Sequence, residues 1–148
     1  MTYLLDVNVL IALIDRKHVN HDAAHRWFAD HGNAAWATCP LTENGVLRIV
    51  GNAKYANTPG SPAAVLPALS SLCALPGHVF WPDAISMLDS QRIVGAKLLT
   101  SAQLTDTYLL ALAASKNGRL ATFDSRVGVQ AVPNGKAALH VIVSQSAQ

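Results

Sequence analysis

Four carboxylates stand where a charge is costly. Asp6, Glu43, Asp106 and Asp124 each open or interrupt an apolar stretch, and Glu43 is the only glutamate among the 148 residues. An isolated ionised carboxylate beside a core neutralises itself or finds a partner, whereas several converging ones make a site that suits a hard divalent cation. Two carboxylates about 5 Å apart repel by roughly 3 kcal/mol at an effective dielectric near 20, so a group of four calls for cations. Oxygen-only ligands favour Mg2+ or Mn2+, one ion or two. Each acid also has an ordinary explanation. Asp6 can cap a following helix, Asp106 can be a helix-start acid, Glu43 half of a capping interaction and Asp124 a turn residue bonded to nearby backbone. What favours a site is that all four fall at the ends of elements that should meet.

Those elements alternate. Tyr3-Leu4-Leu5 reads as a short strand and Val7 to Ile14 as a helix entered at Asp6. Asn20 is placed to cap a helix over 21–31, with Ala24, Trp27 and Phe28 on its apolar face and Gly32-Asn33 ending it. A strand is expected over 35–38, a helix over 42–50 that carries Glu43 in its first turn, a loop over 57–62 and a helix over 63–75. His78 to Trp81 reads as a third strand, followed by helical segments over 82–88 and 92–99. Thr105 is expected to cap a helix over 106–116, before a strand over 120–123 and an edge strand over 140–143, with 144–148 frayed. Strands alternating with helices predict a mostly parallel sheet covered on both faces, and such folds build sites outside the carboxyl ends of strands.

Composition narrows the class. A chain that is 51% hydrophobic at this length suits one compact domain over residues 1–148. Asp6 and Asn8 interrupt the apolar N-terminal run, no basic leader precedes it, and no stretch reaches the roughly 18 apolar residues of a membrane span. A cytoplasmic protein is expected. Cys39 and Cys73 lie alone in apolar settings and read as reduced core residues. Setting aside the four candidate acids leaves five against eleven Lys and Arg, an exterior basic enough to attract a polyanion though equally compatible with an ordinary surface. Arg48, Lys54, Arg92, Lys97 and Arg126 are candidate backbone contacts on charge alone. His21 and His25 have the i, i+4 spacing of metal ligands but lack an HExxH setting, so a solvated face is expected. Asp83 and Asp89 read as helix-start or surface acids, and Trp27, Trp36 and Trp81 as core.

The segments Leu4-Leu5-Asp6-Val7-Asn8-Val9-Leu10, Thr42-Glu43-Asn44, Leu104-Thr105-Asp106-Thr107-Tyr108-Leu109-Leu110-Ala111-Leu112-Ala113 and Leu120-Ala121-Thr122-Phe123-Asp124 resemble those of PIN-domain ribonucleases, in particular VapC-type toxins of bacterial toxin–antitoxin pairs. The resemblance runs over nearly the whole chain, in family order. It implies a three-layer α/β/α sandwich with a parallel sheet, an acidic site for Mg2+ or Mn2+, endoribonuclease activity on RNA, homodimers and inhibition by a cognate antitoxin. Carried over by position, Asp6, Glu43, Asp106 and Asp124 are the implied catalytic and metal-binding acids, with Asn8 and Thr122 as polar neighbours. The apolar segments around Val9 to Ile14 and Trp27-Phe28 either present a groove for an antitoxin helix or fill the chain's own core. A haloacid-dehalogenase-like phosphatase fits less well, because Asn8 stands where that chemistry wants a second aspartate. A receiver-like domain that holds Mg2+, or a PIN domain that binds RNA or protein without cutting, are the remaining alternatives.

Overall fold

A computed structural model describes residues 1–144. Five three- or four-residue strands form one parallel sheet: β1 (Tyr3–Leu5), β2 (Trp36–Thr38), β3 (His78–Phe80), β4 (Arg119–Thr122) and β5 (Leu139–Val141), in the order β3-β2-β1-β4-β5. β1 is central, pairing Tyr3 with Trp36 on one side and with Arg119 on the other. The chain fills one half of the sheet and then crosses to the other, so the order reverses between β1 and β4. All five carboxyl ends share one edge.

Successive strand residues face opposite sides, and β1 shows it: Leu5 packs with one core cluster and Leu4 with the other. On the Leu5 face lie α1 (Val7–Ile14), α2 (His21–Trp27), α3 (Pro40–Val50) and α4 (Pro62–Cys73). On the Leu4 face lie α5 (Leu104–Ser115) and the four-residue α6 (Gly135–Ala138). This is the expected three-layer arrangement. Val9 to Leu13 are all buried in the first cluster together with Trp27, so the apolar side of α1 fills the chain's own core and offers no groove. Trp27, Trp36 and Trp81 are likewise buried.

Several boundaries differ from the expectation for identifiable reasons. Helix α3 begins at Pro40 and α4 at Pro62, each with proline in its first turn, where the missing N–H costs nothing. Residues 28–32 wind as a π-helical turn that continues α2, and Asn20 does not cap α2 with its side chain, which instead accepts from Ser144 Oγ at 2.9 Å. The expected helices over 82–88 and 92–99 are irregular turns apart from a 3-10 turn at Gly95–Lys97. There Ser86 and Asp89 bond the backbone N–H groups of Leu88 and Gln91, a local alternative that competes with helix. Thr105 is not the cap of α5. A 3-10 turn at Ser101–Gln103 with a Thr100/Gln103 capping box leads straight into Leu104. Of the segment expected to fray, Ser144 is described and 145–148 lie outside the described residues.

Candidate functional site

The reversal between β1 and β4 brings three of the four acids together. Asp6 follows β1 directly, and its Oδ1 accepts from the Val7 N–H at 2.8 Å, starting α1. Its Oδ2 accepts from the Thr122 hydroxyl of β4 at 2.8 Å. Asn8 ties the same two strands: its amide donates to Thr122 Oγ1 at 3.0 Å and its carbonyl accepts from the Phe123 N–H at 3.2 Å. The Asp124 N–H donates to Thr122 Oγ1 at 3.1 Å, which fixes where Asp124 leaves the strand. Asn8 and Thr122 are therefore the polar members that hold the site, and Asn8 is committed to the β4 backbone rather than to solvent.

Electrostatics shows what this arrangement costs. Asp6 is 6% exposed, and burial raises its pKa, against the pull of the Thr122 and Val7 bonds, with the Asp124 charge raising it further. Asp106, in the first turn of α5, is pushed up to about 6 by partial burial and then by the charges of Asp6 and Asp124. Asp124 goes the other way, held low foremost by the Arg126 backbone N–H and also by its guanidinium, 3.1 Å from Oδ1. Among the described residues no Lys or Arg forms an ion pair with Asp6 or Asp106. Asp6 and Asp106, raised by burial and by neighbouring carboxylates and without a protein cation of their own, together with the ionised Asp124 fit a hard divalent ion, with water completing its shell.

Glu43 sits at the same edge one strand over. Gly45 is what lets α3 approach α1, since a Cβ there would lie 2.7 Å from Val7 Cγ2. The Glu43 carboxylate accepts from the fully buried Thr38 hydroxyl, at the end of β2, at 2.7 Å. Thr38 Oγ1 also lies 2.8 Å from His78 Nε2. One hydroxyl has one proton, and with that proton on Glu43 the imidazole N–H donates to the oxygen. Burial lowers the His78 pKa while Glu43 opposes it, so the ring is held neutral. Cys73, at the end of α4, brings its sulfur within 4.8 Å of Glu43 and His78 ligand atoms, and burial foremost raises its thiol pKa, with Glu43 adding to the rise. Cys73 is thus half-buried beside a carboxylate and an imidazole, not the plain core residue expected; Cys39 is buried as expected. Thr38, Cys73 and His78 are the members that sequence reasoning missed.

The lesser candidates resolve into structural roles. His21 and His25 donate from their rings to the Ala12 and Leu13 carbonyls at 2.7 and 2.8 Å, closing the end of α1; His25 is exposed, as the expected solvated face requires, and His21 is partly buried. Asp83 accepts from the Tyr108 hydroxyl at 2.9 Å, and Asp89 holds its own turn. Arg48, Lys54, Arg92, Lys97 and Arg126 are all exposed. No helix among the described residues is long and apolar enough to cross a membrane.

Comparison with known proteins agrees with this geometry. The PIN domain family model matches residues 3–132. Ribonuclease VapC44 of Mycobacterium tuberculosis is 41% identical over 133 residues, spanning 90% of this chain and 93% of that protein. Ribonuclease VapC39 of the same organism is 42% identical over 125 residues, spanning 84% and 90% respectively. The crystal structure of M. tuberculosis VapC20, described as a sarcin-ricin loop cleaving toxin, superposes with a TM-score of 0.62 over 96% of this chain and 98% of that one. At 12% identity it speaks for the fold alone. A parallel sheet whose order reverses at an acidic edge, the match across residues 3–132 and identity above 40% lead to one conclusion: the chain belongs to the PIN domain family.

Proposed function

We propose that this chain is a metal-dependent endoribonuclease of the VapC type, the toxin of a toxin–antitoxin pair, acting on RNA in the cytoplasm as a single PIN domain. The observation that carries the reading is the convergence of Asp6, Asp106 and Asp124 at the β1/β4 reversal in a chain 40–42% identical to VapC ribonucleases. Asp6, Asp106 and Asp124, with Glu43 from the neighbouring strand, would hold one or two Mg2+ or Mn2+ ions. When bound, such an ion supplies positive charge for the developing negative charge on the phosphodiester and acidifies the attacking water. The chain's own residues supply position. Thr122 orients the buried Asp6, Asn8 locks β4 against α1, and the bond from the Asp124 N–H to Thr122 directs that side chain. The Asp106 carboxyl, protonated below about pH 6, gives up its proton when a cation is bound.

A homodimer and a cognate antitoxin complete the proposal. Leu88 and Leu99, 94% and 78% exposed, are apolar surface that such a partner would cover. Purified protein is expected to cleave RNA in Mg2+ or Mn2+ and to stop on addition of EDTA. Cleavage by an Asp6→Ala, Asp124→Ala double variant at the wild-type rate would overturn the assignment.

A further inference from the structure

Outside the aspartate crevice, one group of side chains has ligand chemistry of a different kind. Glu43 of α3, Cys73 at the end of α4 and His78 of β3 each bring a ligand atom within 4.8 Å of the other two, and among the described residues no other group of three does so. They come from three elements, and one buried hydroxyl joins two of them: Thr38 bonds Glu43 and His78, with the Cys73 sulfur within 4.8 Å of a ligand atom of each. The His78 ring is further fixed edge-on against Trp36, with centroids 4.7 Å apart. All three are half-buried, so the cluster is held from within and open to solvent on one side.

A carboxylate, a thiol and an imidazole are a poor set for Mg2+, which takes oxygen, and a good one for Zn2+. Zinc bonds of about 2.0–2.3 Å place tetrahedral ligand atoms roughly 3.3–3.8 Å apart, so the three donors, within 4.8 Å of one another, need to close by about 1.5 Å at most. We propose that Glu43, Cys73 and His78 form a second metal site, selective for a thiophilic divalent cation such as Zn2+, with solvent in the fourth position. On binding, the Cys73 thiol gives its proton to solvent as the sulfur–metal bond forms, and the His78 proton moves by way of solvent from Nε2 to Nδ1, so that the Nε2 lone pair turns to the ion in place of its bond to Thr38. Glu43 then serves two sites. Resting on the ribonuclease reading above, occupancy by Zn2+ withdraws Glu43 from the aspartate crevice and inhibits RNA cleavage.

The test titrates the full chain with Co2+, which reports thiolate ligation by an intense near-ultraviolet charge-transfer band. The band is expected in the wild type and in Cys39→Ala, to vanish in Cys73→Ser, and to need at least about tenfold more Co2+ in His78→Gln. Zn2+ should erase it and excess Mg2+ should not. A wild type without the band, or a band that survives in Cys73→Ser, overturns the site. A second measurement compares RNA cleavage with and without Zn2+ within each variant. The ratio should fall in the wild type and stay near one in Cys73→Ser. A band with no RNA cleavage under any condition would refute the ribonuclease reading alone, and cleavage without a band would refute the zinc site alone.

Discussion

Two acidic regions lie side by side along one sheet edge and treat their carboxylates in opposite ways. At the β1/β4 reversal burial and the Asp124 charge raise the Asp6 pKa, and burial with the charges of Asp6 and Asp124 drives Asp106 up to about 6. One strand further, at β2/β3, Glu43 has a hydroxyl donor at 2.7 Å and a neutral imidazole and thiol as neighbours. The first region is strained toward gaining a cation, whereas the second is internally satisfied. A charge shared among acids stores free energy that a hard ion releases; a charge met by hydrogen bonds stores none. The comparison separates carboxylates that a single count of conserved-looking acids would treat alike.

The largest effects test both regions through activity. Asp106→Asn and Glu43→Gln should each lower RNA cleavage at least about a hundredfold, since losing about 3 kcal/mol of charge stabilisation corresponds to that factor. Their effects on folding should differ in sign. Asp106→Asn removes a repelled charge, whereas Glu43→Gln weakens the bond to Thr38 and should cost roughly 1 kcal/mol. Denaturant midpoints in EDTA that moved the same way for both variants would erase the distinction drawn here.

The hydroxyls come next. Thr122→Val leaves the buried Asp6 oxygen and the Asn8 amide without their common partner, and a loss of about 1–3 kcal/mol is expected by urea unfolding. Thr38→Val removes the donor to Glu43 and the acceptor for His78, with a loss of similar size. The difference should show on adding Mg2+. The ion should recover part of the stability lost in Thr122→Val and little of that lost in Thr38→Val.

A smaller effect follows from the Asp106 titration. Its folded pKa of about 6 lies above the ordinary aspartate value of 3.8, so between these values the folded chain binds more protons than the unfolded one. Stability attributable to this group therefore falls as pH rises through that window and stays low above about 6. Because the side chain is only partly buried, solvent screening reduces the contribution to roughly 1 kcal/mol. Asp106→Asn should accordingly be more stable than the wild type at pH 7.5 by about that amount, and the gap should close on acidification to pH 4. Mg2+ should close it from the other side by stabilising the wild type. A gap independent of pH would mean that Asp106 is not the group responsible.

The sequence carried the fold well because its strands are bounded by sharp signals. Tyr3-Leu4-Leu5 stops at Asp6, and Pro40 and Pro62 mark helix starts to within two residues. It failed over 82–99, where Met87 and Leu88 suggest a helix but only Ile93 is buried within 83–99, so little tertiary packing rewards one. The aspartates were visible because each interrupts an apolar run. The partners of Glu43 were not. His78 reaches Thr38 only because β3 pairs with β2 in the register Trp36 to His78, which puts the two side chains on one face as diagonal neighbours. Cys73 joins them only through the way α4 ends, and no local pattern records either meeting.

The smallest expected effect sharpens the reading of Asp124. Its carboxylate is kept ionised first by the Arg126 backbone N–H and only then by the guanidinium, and the Arg126 side chain is 89% exposed. Arg126→Ala keeps the backbone donor and removes a screened surface pair, so the stability change should stay within about 0.5 kcal/mol. The same side chain is a candidate contact for RNA phosphate, and there the consequence differs. Removing one phosphate contact should raise KM, leave kcat near its wild-type value and flatten the salt dependence of binding by about one unit of slope. If kcat falls instead while the unfolding midpoint is unchanged, Arg126 acts on Asp124 within the acidic crevice and not on the RNA backbone.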